Sequence, residues 1–215
     1  MSTLAAPASA REALDMISAG LGFLTASDHA ALDAETQALV LRKLEEHDAV
    51  ATAARAWHLS AFAAGQGHCS DADYSPRAWL MHRTQITRAA AAAHAAWARR
   101  AREHQLVLAA LAAGQVSESY ARAICGWTDR LPEDSWEAAD EILLAAAAAG
   151  LGLSDLAGLA EEMYQRSRPD QPDEDPGPGV RGPGRAAGDH GRRRGGAARR
   201  SHPRVQCGGV GADPA

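Results

Sequence analysis

The chain has 215 residues, 51 of them Ala, and carries a formal net charge of −5 at pH 7. A composition rich in Ala, Leu, Glu and Arg but poor in Val, Ile, Phe and Tyr predicts an all-α fold and excludes a sheet-rich one, because Ala loses no side-chain entropy in a helix. Three cysteines at wide spacing indicate neither a disulfide framework nor a CxxC zinc site, and no stretch reaches the roughly 18 apolar residues that a bilayer span needs. We therefore expect a cytoplasmic protein with no membrane partner, no cofactor and no small-molecule ligand.

Two amphipathic helices are predicted first. A short one covers residues 11–24, with Leu14, Ile17 and Leu21 at helical spacing. A longer one runs from about Asp33 to Phe62. Its expected apolar stripe is close to a heptad and consists of Val40, Leu44, Ala51, Ala54, Trp57 and Ala61. Because such a stripe can pair with another chain as well as with its own neighbours, self-association through helices is one expected interaction.

Helix caps define the remaining predicted elements. Ser75 with Pro76 is typical of a helix start, as is Ser117, and Gly114 is typical of a helix end. The further helices are predicted over residues 84–104, 105–113, from Ser117 past Trp127, from Pro132 to about 149, and from a cap at Ser154 to about Arg166. Together they predict an irregular bundle of about six to eight helices in a domain over residues 9–167.

The composition changes abruptly near Gly177. Gly, Ala, Arg and Pro fill 29 of the 39 positions from there to the end, and no Leu, Ile, Met or aromatic side chain remains to build a core. Residues 1–176 carry 14 Lys and Arg against 25 Asp and Glu, a net −11, whereas residues 177–215 carry 8 against 2, a net +6. We expect a Pro/Asp-rich linker over 168–179 and a disordered tail over 180–215. The tail composition is what an unselected frame of GC-rich DNA yields, so we also expect an out-of-frame tail on a truncated protein.

Three segments occur in an order that carries a family resemblance: LAALAAGQVSESYARAI, ADEILLAAAAAGLGLSDLAGLA and DEDPG. Between about Asp33 and Gly179 the chain resembles the domain of unknown function 222 family of high-GC bacteria. Longer members of that family often continue into a C-terminal HNH nuclease, so the resemblance implies a module that accompanies a nuclease. The later histidines, His190 and His202, form no HNH motif. No nuclease residues are therefore carried over, and endonuclease activity is expected only of an intact full-length form.

Two patterns are candidates for contact with DNA or a protein partner. Residues 109–124 have the layout of a helix-turn-helix, in which Ser117 and Arg122 would lie on the recognition helix. The run from Tyr74 to Arg102 contains no acidic residue. The arginines proposed as contacts in this run are Arg77, Arg83, Arg88, Arg99 and Arg102. The alternatives are an ordinary helical hairpin and a solvated face whose arginines pair with acids elsewhere in the fold.

Metal binding and catalysis are not indicated. His58, His68, Cys69, Asp71 and Asp73 lie in or near one loop but lack zinc-ligand spacing, and no nucleophile elbow or phosphate-binding loop is present. Isolated histidines such as His94 and His104 are expected to be packed or solvent-facing. We expect a non-catalytic helical module with a nucleic-acid-associated or assembly role. The alternative is a small DNA-binding regulator that uses the helix-turn-helix-like unit or the arginine-rich tail.

Overall fold

A computed structural model describes residues 6–168, so the predicted tail and the predicted linker beyond Arg168 lie outside the described residues. Within residues 6–168 the chain forms eight α-helices and no strand, which confirms the all-α prediction. The helices are α1 (Ala10–Ala26), α2 (Ala34–Ala64), α3 (Pro76–Thr84), α4 (Arg88–Glu103), α5 (Gln105–Ala112), α6 (Glu118–Thr128), α7 (Trp136–Ala148) and α8 (Leu153–Ser167). Short 3-10 turns occupy His29–Ala31, Gly67–Asp71 and Glu133–Ser135.

The chain divides into two compact units, Met1–Asp48 and Ala49–Ala215, and the division falls inside α2. In the first unit, Ser9 caps α1 by accepting a hydrogen bond from the backbone N–H of Glu12. Asp33 caps α2 in the same way at 2.7 Å from the N–H of Thr36. No residue of α1 is buried.

The buried face of α2 differs from the predicted stripe. In the second unit the buried positions of this helix are Ala49, Thr52, Ala53, Ala56 and Leu59, whereas the predicted Ala51, Ala54, Trp57 and Ala61 are exposed. The prediction was wrong here because Ala occurs on every face of this half of the helix. A residue that is common on all faces leaves no apolar periodicity from which a buried side can be chosen.

The core of the second unit is built mainly by α5 to α8, which pack on one another, while α3 packs on α4. Its largest fully buried apolar side chains are Leu108, Leu111, Ile124, Leu143 and Leu156. A smaller cluster is formed by Leu59, Leu80, Ala91 and Ala98. Much of the remaining buried surface is Ala, which lets these helices approach closely.

Several predicted caps occur as expected. Ser75 accepts from the N–H of Ala78 and Ser117 from that of Tyr120, and Gly114 ends α5 at a φ of +65° that favours glycine.

Three predicted boundaries need correction. The helix predicted over residues 84–104 begins only at Arg88, because Gln85 takes a left-handed conformation and Thr87 caps α4. Pro132 is followed by a 3-10 turn before α7 begins. Ser154 does not cap α8, whose first residue is Leu153 after Gly152.

Candidate functional site

The most connected buried polar group of the second unit is His104, which lies at the break between α4 and α5. Its side chain is fully buried. Nδ1 lies 2.9 Å from Oδ2 of Asp140 on α7, and Nε2 lies 3.0 Å from Oδ1 of Asp129 at the end of α6. The ring stacks on Trp136, with 5.2 Å between ring centroids. Because a carboxylate only accepts, both ring nitrogens donate, and the imidazolium is the form that suits this geometry.

Arg100 on α4 completes the network, and we call Arg100, His104, Asp129 and Asp140 the His–carboxylate cluster. One Nη atom of Arg100 lies 3.4 Å from Oδ2 of Asp129. Two cations thus face two carboxylates, so the cluster is electrically balanced. Arg100 lies on α4, His104 at the break between α4 and α5, Asp129 just after α6, and Asp140 on α7. The cluster therefore connects these elements through hydrogen bonds and ion pairs.

Burial and charge act in opposite directions on His104. Burial alone would lower its pKa, but the hydrogen bonds and negative charges of Asp140 and Asp129 outweigh it, so the pKa is raised above 6.5.

The buried thiol of Cys125 on α6 is affected differently, since burial raises its pKa to about 12. This thiol remains protonated near neutral pH and is a poor nucleophile.

The cluster has the character of a structural network. With both nitrogens engaged, His104 has no lone pair with which to take a proton from a substrate. Three buried polar atoms beside it still lack a hydrogen-bond partner among the described residues: Nε of Arg100, Oγ1 of Thr128 and Oδ1 of Asp140. Buried polar atoms without a hydrogen-bond partner are uncommon in native proteins.

A cavity of about 390 Å³ lies next to this cluster, within the second unit. Asp140 and Trp136 are in its wall. The other lining residues are Arg102, Glu103, Gln105, Leu106, Glu133 and Glu137. The wall therefore carries four carboxylates against one guanidinium.

Three of the arginines predicted to contact nucleic acid or a partner have carboxylate partners in the domain. Arg83 lies 2.8 Å from Asp71, Arg99 lies 3.5 Å from Glu103, and Arg122 pairs with Glu118. Their charges are partly compensated, which is the arrangement expected of a solvated, internally paired face.

The other three predicted arginines have no carboxylate partner within residues 6–168. Arg77 donates to the backbone carbonyl of Arg88 at 3.2 Å. Within residues 6–168, Arg88 and Arg102 are exposed and have no ion-pair partner. Arg88 and Arg102 thus lie at opposite ends of α4, and within residues 6–168 their side chains make neither an ion pair nor a hydrogen bond.

The segment proposed as a helix-turn-helix is the α5–turn–α6 unit, and its two helices pack on each other. The first turn of α6 is engaged with the domain: Glu118 accepts from the indole N–H of Trp97 on α4 at 2.9 Å. Burial by itself raises the pKa of Glu118, but the hydrogen bonds from Trp97 and Arg122 outweigh it and lower the pKa. Ser117 is half-buried and serves as the cap. This turn of α6 is therefore occupied by intramolecular contacts.

The His–carboxylate cluster is not evident from the sequence, because Asp129 and Asp140 lie 25 and 36 residues from His104 along the chain. Two local signals were present. Asp140 stands with Glu141 in the run AADEILLA, whose other residues are apolar, and His104 stands where two Ala-rich helical segments meet. A charged residue on the buried side of a helix normally has a partner, and the structure shows that Asp140 rather than Glu141 is the buried one.

Metal-ligand groups and membrane spans are both absent from the described part of the chain. Among residues 6–168, no three histidine, cysteine, aspartate or glutamate side chains are grouped as metal ligands. In the same range, no helix combines the length and apolarity of a membrane span. Comparisons with protein-family models, curated proteins and solved structures find no match to this chain.

Proposed function

We propose that this chain is a non-catalytic helical module whose role is assembly, through self-association of α1 in the first unit. The observation that carries the proposal is the exposure of large apolar side chains on α1. Leu14, Ile17 and Leu21 are 64%, 58% and 47% exposed. Burying side chains of this size stabilises by about 1.5–3 kcal/mol each, so leaving a row of them in water favours association.

The spacing of these residues suits a helical partner. Leu14, Ile17, Leu21 and Leu24 follow one another at intervals of three and four, which places them on one seam of α1 as the a and d positions of a coiled coil. A seam of this kind is covered by another helix whose apolar residues have the same spacing.

A second copy of the chain is the partner that the flanks of this seam allow. The flanking positions are Ala13, Ser18, Gly20 and Thr25, none of which is charged. When two copies of α1 meet, no like charges are brought together, and the small side chains permit a close approach. A cyclic homodimer is also the commonest form of protein self-association.

The wider role that we propose follows from the resemblance to the domain of unknown function 222 family. In longer relatives such a module precedes an HNH nuclease, and pairing of the module would bring two nuclease domains to one substrate. The module itself would supply no catalytic group. This view accords with the closed hydrogen bonding of His104.

Sedimentation velocity of the full chain over a hundredfold range of concentration tests the assembly role. We expect a concentration-dependent shift from monomer to dimer. Ile17→Glu places a charge in the seam and should weaken association about tenfold or more. Ala19→Glu adds the same charge to an exposed position outside the seam and should leave association unchanged. A wild-type chain that stays monomeric throughout, or equal effects of the two variants, would contradict the proposal.

DNA binding by the folded domain is the competing proposal, and the observation that favours it is the unpaired state of Arg88 and Arg102. Fluorescence anisotropy with a labelled duplex at low salt separates the two. If these arginines contact phosphates, the double variant Arg88→Gln/Arg102→Gln should lower the slope of log K against log salt by about 1.8. Arg166→Gln, which removes an exposed arginine paired with Glu162, is the control. Unchanged binding in the double variant would rule out this contact.

A further inference from the structure

A cavity of about 470 Å³ lies between α2 and α3, inside the second unit. Its wall is mostly apolar and is formed by Leu59 and Phe62 on α2 together with Trp79 and Leu80 on α3. Sites for small molecules usually have a volume of this order and combine an apolar wall with a few polar groups. The cavity therefore has the size and the character of a small-molecule site.

The two aromatic rings of this wall are held in place by their surroundings. The ring of Phe62 packs on Gly67, where an added Cβ would come within 2.3 Å of it. The same ring contacts Trp79, with 4.6 Å between the ring centroids. The indole N–H of Trp79 donates to Asp71 at 2.5 Å, so this ring offers apolar surface rather than a free donor. Because both rings are fixed in advance, a ligand that packs on them loses less entropy on binding.

The polar part of the wall is positive. Arg55 and His58 line the cavity from α2, and no acidic residue is among its described lining residues. Arg55 is exposed, and within residues 6–168 its guanidinium makes neither an ion pair nor a hydrogen bond. Arg83 on α3, by contrast, is paired with Asp71. An apolar wall beside an unpaired guanidinium favours an apolar ligand that carries a negative charge.

We propose that this cavity binds an aromatic carboxylate, a small acid whose ring packs on Phe62 and Trp79 and whose carboxylate accepts hydrogen bonds from Arg55. Arg55 and Phe62 lie two turns apart on one face of α2, about 10 Å along the helix axis. Because an arginine side chain is long, a ligand with two or three atoms between ring and carboxylate meets both residues. His58 lies on the same face between them and offers a further ring N–H.

Titration of the full chain with 3-phenylpropanoate, followed by two-dimensional NMR, tests the proposal, and 3-phenylpropanamide is an uncharged ligand of nearly the same shape. We expect saturable binding of the acid with a Kd of about 1 mM and binding of the amide that is about fivefold weaker or more. The indole signal of Trp79 should shift, while that of the exposed Trp57, which is outside the wall, should not. Absence of saturable binding at about 10 mM, or equal binding of both compounds, overturns the proposal.

A matched pair of arginine variants locates the carboxylate. Arg55→Gln should weaken binding of 3-phenylpropanoate about fivefold and leave binding of the amide unchanged. Arg42→Gln removes the same charge from an exposed position of α2 outside the wall and should not change either Kd. Equal effects of the two variants would show that only overall charge matters and would overturn the site.

A pair of glycine variants tests the aromatic wall. Gly67→Ala forces the ring of Phe62 to move and should weaken binding about threefold or more. At Gly65 an added Cβ would meet only the carbonyl oxygen of Ala61, at an ordinary 3.5 Å, so Gly65→Ala should not change the Kd. Equal affinities of these variants would contradict packing of the ligand on Phe62. If Gly67→Ala fails to fold, the arginine pair still decides the question.

An aliphatic acid tests the class of ligand. Hexanoate carries the same carboxylate on an aliphatic chain and should bind about two- to tenfold more weakly than 3-phenylpropanoate, because it makes no contact between aromatic rings. Equal or tighter binding of hexanoate would overturn the aromatic class.

Discussion

The imidazole of His104 links several elements in a domain where 10 of the 21 buried apolar residues are Ala. It donates to two carboxylates, that of Asp129 just after α6 and that of Asp140 on α7, while it is itself fully buried. The net contribution of such a network to the free energy of unfolding is modest, because each charge lost its hydration on burial. Removal of one member should destabilise the fold strongly, since the remaining charges then stay buried without a partner.

His104→Ala should therefore lower the free energy of unfolding by about 3–5 kcal/mol, because Asp140 is left as an uncompensated buried carboxylate. Urea denaturation followed by circular dichroism measures the change. The control is His58→Ala, an exposed histidine on α2, which should change stability by less than about 0.5 kcal/mol. A loss below about 1 kcal/mol for His104→Ala would mean that water or a rearrangement compensates Asp140.

The raised pKa of His104 gives stability a pH dependence of known sign. Between the unfolded pKa of 6.5 and the higher folded pKa, the folded chain holds a proton that the unfolded chain releases. The stabilisation is complete below pH 6.5 and is lost as the pH rises through the folded pKa. The difference in unfolding free energy between wild type and His104→Gln should thus shrink as the pH rises above 6.5 and through the folded pKa. A constant or growing difference would show that the folded pKa is not raised.

At the scale of elements, capping residues and glycines determine where the helices of this chain begin and end. Thr87 and Ser117 start helices by capping, and glycines with positive φ end two of them. Gly150 follows α7 at a φ of +91°, a conformation that L side chains rarely adopt. Such local signals explain why the caps at Ser75, Ser117 and Gly114 were predicted from the sequence.

A pair of glycine substitutions tests whether the positive φ of Gly150 is what requires glycine after α7. An added Cβ would meet nothing within 4 Å at Gly150 or at Gly158, which lies inside α8, so neither change creates a clash. Gly150→Ala should destabilise by about 1–3 kcal/mol through its positive φ. Gly158→Ala should stabilise by about 0.5–1 kcal/mol through helix propensity. Thermal and urea unfolding measure both, and a shift of the same sign in the two variants would contradict the backbone explanation.

At the scale of the whole molecule, burial is distributed unevenly along the chain. The second unit contains the buried residues of α5, α6, α7 and α8, whereas α1 in the first unit has none. Local stability follows burial, so the two units should open with different free energies.

Hydrogen exchange with mass spectrometry tests that expectation. At low protein concentration, amides of α1 should exchange fastest among the helices and those of α5 and α6 slowest, because protection scales with buried contacts. At high concentration α1 should gain protection if it self-associates. Protection of α1 equal to that of α6 in the dilute chain would contradict the burial argument, and Ala19→Glu provides a control with an intact seam.

The amino-acid sequence by itself determined the helical class and most helix ends, because helix propensity and capping depend on residues within one turn of each other. Only the tertiary structure decided which face of α2 is buried, since Ala on every side of that helix gave no periodicity. It also decided which charges meet. The partners of Arg83 and Arg100 lie 12 and 29 residues away, and those of His104 lie 25 and 36 away. The physical reason is that helix formation is a local equilibrium, whereas ion pairing and burial depend on distances that exist only after the helices have packed.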